Sequence, residues 1–163
     1  MQADPTFTVV PPEDRLTVVR VFFDADIVMK ILMAGLAIAA VIAIVVWVVQ
    51  ASRLGRRRSA GFEGATAYLM ALSAAGPMIG FFGSAYTLFA GSLGLANVRP
   101  VPTISILAPG FAEALLAAML GLLAASIAVI GRQHLKAKLY AVEVEARETA
   151  AEAAPLRQAR AAA

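Results

Sequence analysis

The sequence predicts an all-α integral membrane protein: three transmembrane helices, with an N-terminal amphipathic helix and a cytoplasmic extension of the third helix. Three observations carry that expectation. The 163 residues are 60% hydrophobic and 15% charged, with a mean hydropathy of +0.77, and so little charge cannot cover a soluble domain of this size. Three runs are long and apolar enough, at about 1.5 Å per residue, to cross a hydrocarbon core roughly 30 Å thick. The basic residues gather beside the ends of those runs and form no stripe with interleaved aromatics, so topology, not nucleic acid, explains the net charge of +3.

Residues 1–12 carry three prolines and no periodicity and are expected to be disordered. The first apolar run starts too late, behind too many acids, for a cleavable leader. Over 13–26 the pattern turns helical, with Glu13 and Asp14 in the first turn and Leu16, Val19, Phe23 and Ile27 on one face. Arg15, Arg20 and Asp24 lie largely off that stripe, which suits a helix on the membrane surface or, equally, a solvated helical lead-in to the first span. The first span is placed at 27–50, where Trp47 suits the interfacial aromatic belt and Lys30 can snorkel outward. A cytoplasmic linker over 51–67 leads to a second span at 68–95. Asn97, Pro100 and Pro102 mark an extracytoplasmic turn over 96–104. The third span, 105–131, holds one charged residue, Glu113. A cytoplasmic helix over 132–154 and a disordered tail over 155–163 complete the chain.

Orientation follows from the basic residues near the span ends. Arg53, Arg56, Arg57, Arg58, Arg132, Lys136 and Lys138 fall on one side, against Arg15, Arg20, Lys30 and Arg99 on the other. The first group is expected in the cytoplasm, with the N-terminus outside and the C-terminus inside.

There is no cysteine and one histidine, His134, which excludes disulfides, iron–sulfur clusters and Cys/His zinc sites. No nucleophile–base pair and no phosphate-binding glycine loop is present, and the glycines at Gly80 and Gly83 lie inside a span. The chain is not expected to be an enzyme. Glu113 is the most informative residue, because an ionisable group inside a span costs about 2.5 kcal/mol or more on insertion scales and is normally kept for a pathway or a partner, the alternative being a carboxyl that hydrogen-bonds a neighbouring helix or stays protonated and inert. In the second span Ser73, Pro77, Gly80, Ser84, Thr87 and Gly91 share one face. In the third, Gly110, Ala114, Ala117, Gly121, Ala124 and Ala128 form a matching small-residue face beside Glu113. For the glycines and alanines, close helix packing is the larger share of the role. For Ser84 and Thr87 the expectation leans toward a proton path, although membrane hydroxyls often bond their own helix backbone.

Residues 107–125, LAPGFAEALLAAMLGLLAA, resemble the third-helix signature of the ExbB/TolQ/MotA family, which runs APG-x-AEAL into a small-residue helix. GPMIGFFGSAYTLF, residues 76–89, resembles the family's second helix, and ADIVMKILMAGLA, residues 25–37, the start of its first. By position Glu113 matches the family's glutamate and Ser84 stands in place of its threonine. Ala118 stands where the family usually has a threonine and Ile127 where a proline is common. The cytoplasmic domain between the first two spans is much reduced. The resemblance implies a homo-oligomer, a pentamer, around single-span ExbD- or TolR-like helices with an intramembrane aspartate, and a TonB- or TolA-like protein as the driven element.

The function so implied is a proton-channel subunit of an inner-membrane, energy-transducing motor, with protons as coupling ion and no other cofactor. Site residues are Glu113, Ser84 and Thr87 for the path, and Pro77, Gly80, Gly83, Gly91, Gly110, Ala114, Ala117, Ala118 and Gly121 for pore and helix packing. Two rivals stand beside it: a non-conducting scaffold of the same fold, and a three-span transporter subunit with a substrate site at Glu113.

Overall fold

A computed structural model describes residues 17–55, 62–97 and 104–161 as four helices. Helix α1 spans Val18–Asp24 and α2 Ile27–Gly55; α3 covers Phe62–Ala96 and α4 Ile104–Ala161. The protein is all-helical in its described residues. Ile27–Leu54, Phe62–Ala96 and Ile106–Ala154 are each long and apolar enough to cross a membrane.

Local chemistry explains the breaks. The Thr17 side chain accepts a hydrogen bond from the Arg20 backbone N–H at 3.3 Å and caps α1. Extended backbone at Ala25 ends that helix, and the Asp26 carbonyl accepts from the Lys30 N–H at 2.9 Å to open α2. The core of α2 is rich in Val and Ile, which are mediocre helix formers in water. In lipid every backbone group must bond internally, and the helix is then the one arrangement open to a single segment. Asn97 closes α3 by donating from its Nδ2 to the Leu93 carbonyl at 2.9 Å.

The bundle is organised by the contact of α3 with α4. A Cβ placed on Gly121 would lie 2.5 Å from the Gly76 carbonyl oxygen and 2.9 Å from the Gly80 Cα; one placed on Gly80 would lie 2.8 Å from the Ala117 carbonyl. These positions admit only glycine, and their lack of side chains lets the two backbones touch. Helix α2 fills the groove so formed. Met29 and Met33 are buried against Ala117, Leu32 lies over Gly83, and Trp47 packs on Gly131 and edge-on to His134. The Tyr68 hydroxyl donates to the Ala39 carbonyl at 2.9 Å, a side-chain bond that ties α3 to α2. A second cluster around Ala43, Leu54, Leu69, Ala124 and Leu135 completes the interior at the other end.

The outer faces are covered with large apolar side chains, among them Ile31, Val41, Met78, Phe82, Phe89, Leu115 and Met119. Such a surface is compatible only with lipid or with neighbouring subunits.

Within the described part of the surface helix Val19, Phe23 and Ile27 are exposed, while Val21 and Ala25 on the other side are buried against the bundle. Residues 13–16 of that helix lie outside the described residues. Two expectations need correction. The 51–67 linker is largely helical, since α2 runs to Gly55 and α3 begins at Phe62. The helix also continues through Pro155 to Ala161, where a disordered tail was expected. A proline removes one backbone donor, and the alanines and arginines around it are strong helix formers that carry the turn past it.

If the Gly76, Gly80 and Gly121 contact holds the bundle, Gly121→Ala destabilises the protein by about 1–3 kcal/mol. Gly91→Ala, where an added Cβ meets nothing within 4 Å, leaves stability unchanged. Reversible unfolding in mild detergent, monitored by helicity, distinguishes the two variants.

Candidate functional site

Glu113 lies about two and a half turns into α4. The small face of that helix, Ala114 and Ala117, is buried against the neighbouring helices, and Glu113 sits at its margin. Its side chain borders a cavity of about 250 Å³ whose other lining residues are Asp26, Met29, Tyr86, Thr87, Ala90, Gly91 and Gly110. Three pieces of the chain therefore converge here: the α1–α2 corner, the last third of α3 and the start of α4.

The cavity has a local cause. Where α3 and α4 touch through Gly76, Gly80 and Gly121 there is no space, and toward the α1 end the helices separate. Gly91 and Gly110 have open space where a Cβ would stand. They line a cavity and do not bring helices into contact, unlike Gly80 and Gly121. The opening continues into a larger apolar groove of about 610 Å³ between Leu88, Leu95, Ile106, Leu107 and Phe111, which shares Thr87, Gly91 and Gly110 with it.

Glu113 is half-buried, and its Oε1 is fully buried with no hydrogen-bond partner. An unsatisfied buried acceptor costs about 1–3 kcal/mol, and more when it is charged. The Asp26 backbone N–H faces the Glu113 carboxyl, and the Asp26 carboxylate and Lys30 ammonium lie within electrostatic range. Thr87 donates its hydroxyl proton to the Gly83 carbonyl at 3.2 Å, which leaves its oxygen as an acceptor toward the cavity.

The remaining residues divide by position. Ser84 is half-buried one turn deeper on α3 and is not among the residues lining the cavity. Pro77 and Ala118 are half-buried. Gly83 faces Leu32 and Met29 of α2 and not α4. Two positions escaped the sequence reading. Gly76 belongs to the tightest helix contact, and its spacing of four from Gly80 was the available signal. Asp26 is the other, and an acid immediately before an apolar helix is a cap signal that says nothing of a distant carboxyl.

The fold and this site define a multi-pass helical membrane protein with an ionisable group held inside its spans. The chain belongs to the MotA/TolQ/ExbB proton channel family, whose model matches residues 52–148. It is 37% identical over 76 residues to the biopolymer transport protein ExbB of Pseudomonas putida, an alignment covering 47% of this chain and 22% of that protein. It is 31% identical over 87 residues to the Tol-Pal system protein TolQ of Haemophilus influenzae, covering 53% of this chain and 38% of that protein. The TolQ of Pseudomonas aeruginosa is 34% identical over 82 residues, covering 50% and 35%. The matched stretches thus span less than two fifths of the relatives' own lengths. Glu113, Ser84 and Thr87 fall inside the family match, and Asp26 falls outside it.

Because the chain has no cysteine, the cavity can be probed one residue at a time. Thr87→Cys in liposomes is expected to react with a water-soluble thiol reagent on the order of tenfold faster than Ala117→Cys, which is fully buried between helices. Equal rates would mean that the cavity is closed to water.

Proposed function

We propose that this protein is a proton-channel, stator-like subunit of an energy-transducing complex in the bacterial inner membrane, and that Glu113 carries the proton through its spans. The observation that carries the reading is the buried, unpartnered Glu113 Oε1 beside a cavity that Thr87 and Tyr86 also line. A carboxyl so placed can take up and release a proton where a fixed ion pair could not. Membership of a family described as proton channels supports the same reading.

In this account several copies, five by resemblance, surround a single-span ExbD- or TolR-like partner that brings an intramembrane aspartate. The exposed apolar faces of α3 and α4 supply the surfaces that neighbouring copies and lipid would cover. Proton flow drives motion in the partner, which acts on the envelope or on outer-membrane import through a TonB- or TolA-like protein. Protons are the coupling ion, and no enzymatic step is involved. The positive-inside count puts the N-terminus in the periplasm and the α4 extension in the cytoplasm. Ser84, one turn from Thr87, is assigned to the deeper part of the path.

A second reading is a non-conducting scaffold of the same fold. It is favoured by Ala118, which offers no hydroxyl on α4, and by the Thr87 hydroxyl being donated to its own helix.

The test is proton flux into liposomes holding the protein and its one-span partner, under an imposed pH gradient. The channel reading predicts that Glu113→Gln, which keeps shape but cannot titrate, brings flux down to that of empty liposomes. Native-level flux in Glu113→Gln would remove Glu113 from the path, and no flux above empty liposomes in the native protein would favour the scaffold.

A further inference from the structure

Asp26 is the one other carboxyl among the residues lining the Glu113 cavity. Its position is fixed by the fold. Val21 in α1 and Ala25 at the α1–α2 corner are buried, and Met29, in the first turn of α2, is buried against Ala117 of α4. Asp26 is thereby held at the mouth of the cavity, exposed to solvent, with its backbone N–H directed at the Glu113 carboxyl. Glu113 Oε1 lies on the inner side, away from solvent and without a partner. One exposed carboxyl and one whose Oε1 is buried, bordering the same space of about 250 Å³, is an arrangement that lets a proton pass from solvent into a span.

We propose that Asp26 is the proton-transfer group through which water on the α1 side of the protein exchanges protons with Glu113. This rests on the channel reading above and adds an entry group to it. In the inward step the O–H bond of a protonated Asp26 breaks and an O–H bond forms on the Glu113 carboxylate, directly or through a water in the cavity. Asp26 is left as carboxylate and regains its proton from solvent.

The charged and titratable groups facing the pair are Lys30 on α2 and Tyr86 on α3. On α1, Asp24 is engaged by Arg20 at 3.6 Å. Lys30 is four residues beyond Asp26, in the first turn of α2, and near enough to Glu113 to act on it electrostatically.

The experiment uses the 163-residue protein with its one-span partner in liposomes, comparing native, Asp26→Asn, Asp26→Glu and Glu113→Gln. Asparagine caps a helix as well as aspartate does and keeps the backbone N–H, so Asp26→Asn removes the titratable group alone. The proposal predicts that Asp26→Asn lowers flux by about tenfold or more at neutral pH. The deficit shrinks as the buffer on the α1 side is acidified, because direct protonation of Glu113 then competes, and Asp26→Glu restores flux. Native flux in Asp26→Asn, with Glu113→Gln silent, overturns the relay and leaves the channel reading standing. A deficit that is the same at every pH, or one that Asp26→Glu fails to restore, makes Asp26 structural and also overturns the relay. Native-level flux in Glu113→Gln, or no flux in the native protein, removes both readings together.

Discussion

The rest of the structure depends on the backbone contact between α3 and α4 at Gly76, Gly80 and Gly121. Between helices in lipid there is no hydrophobic drive to associate, since the surrounding tails are as apolar as the side chains. What remains is close packing, and close packing of two backbones requires residues without side chains. Because the helices are pinned there, they separate on one side of the contact, and the space between them is where Glu113 is found. Helix α2 closes the groove with Met29, Met33 and Leu32 and carries the α1–α2 corner to the cavity mouth. Packing and site are in this sense one feature.

The site itself sits in tension with stability. A buried carboxyl oxygen without a partner costs free energy, and an apolar residue at position 113 would be tolerated more easily by the bundle. The surroundings lessen that cost only in part, through the Asp26 backbone N–H and the nearby Lys30. Complete satisfaction would fix the charge state, whereas a proposed carrier must change it. The open space at Gly91 and Gly110 has the same logic, since any larger residue would fill the volume a proton path needs.

Much of this was legible in the sequence, for identifiable reasons. Hydropathy alone located three spans, because the bilayer enforces helices of a minimum length. Glu113 stood out because one charge in an apolar run is conspicuous, and Thr87 lay on a face that the structure places at the same cavity. Long-range juxtapositions were not legible. Asp26 and Glu113 are 87 positions apart, and no local pattern relates a helix cap to a carboxyl on another helix. The face of α1 that the bundle covers was not legible, because Val21 and Phe22 are as hydrophobic as Val19 and Phe23, and periodicity cannot say which side a bundle will cover. Gly91 and Gly110 looked identical to Gly80 and Gly121 in sequence, and only helix divergence separates lining from packing.

The central claim is that Glu113 is a carboxyl that exchanges its proton with water from inside a span. Infrared spectroscopy of the protein in bilayers tests it most directly, with Glu113 assigned by the band missing in the Glu113→Gln protein. The account predicts a protonated-carboxyl stretch that appears and disappears reversibly as the buffer is cycled between acid and alkaline, and that shifts in deuterium oxide. A band that neither titrates nor exchanges would contradict the account and leave Glu113 as an inert structural group.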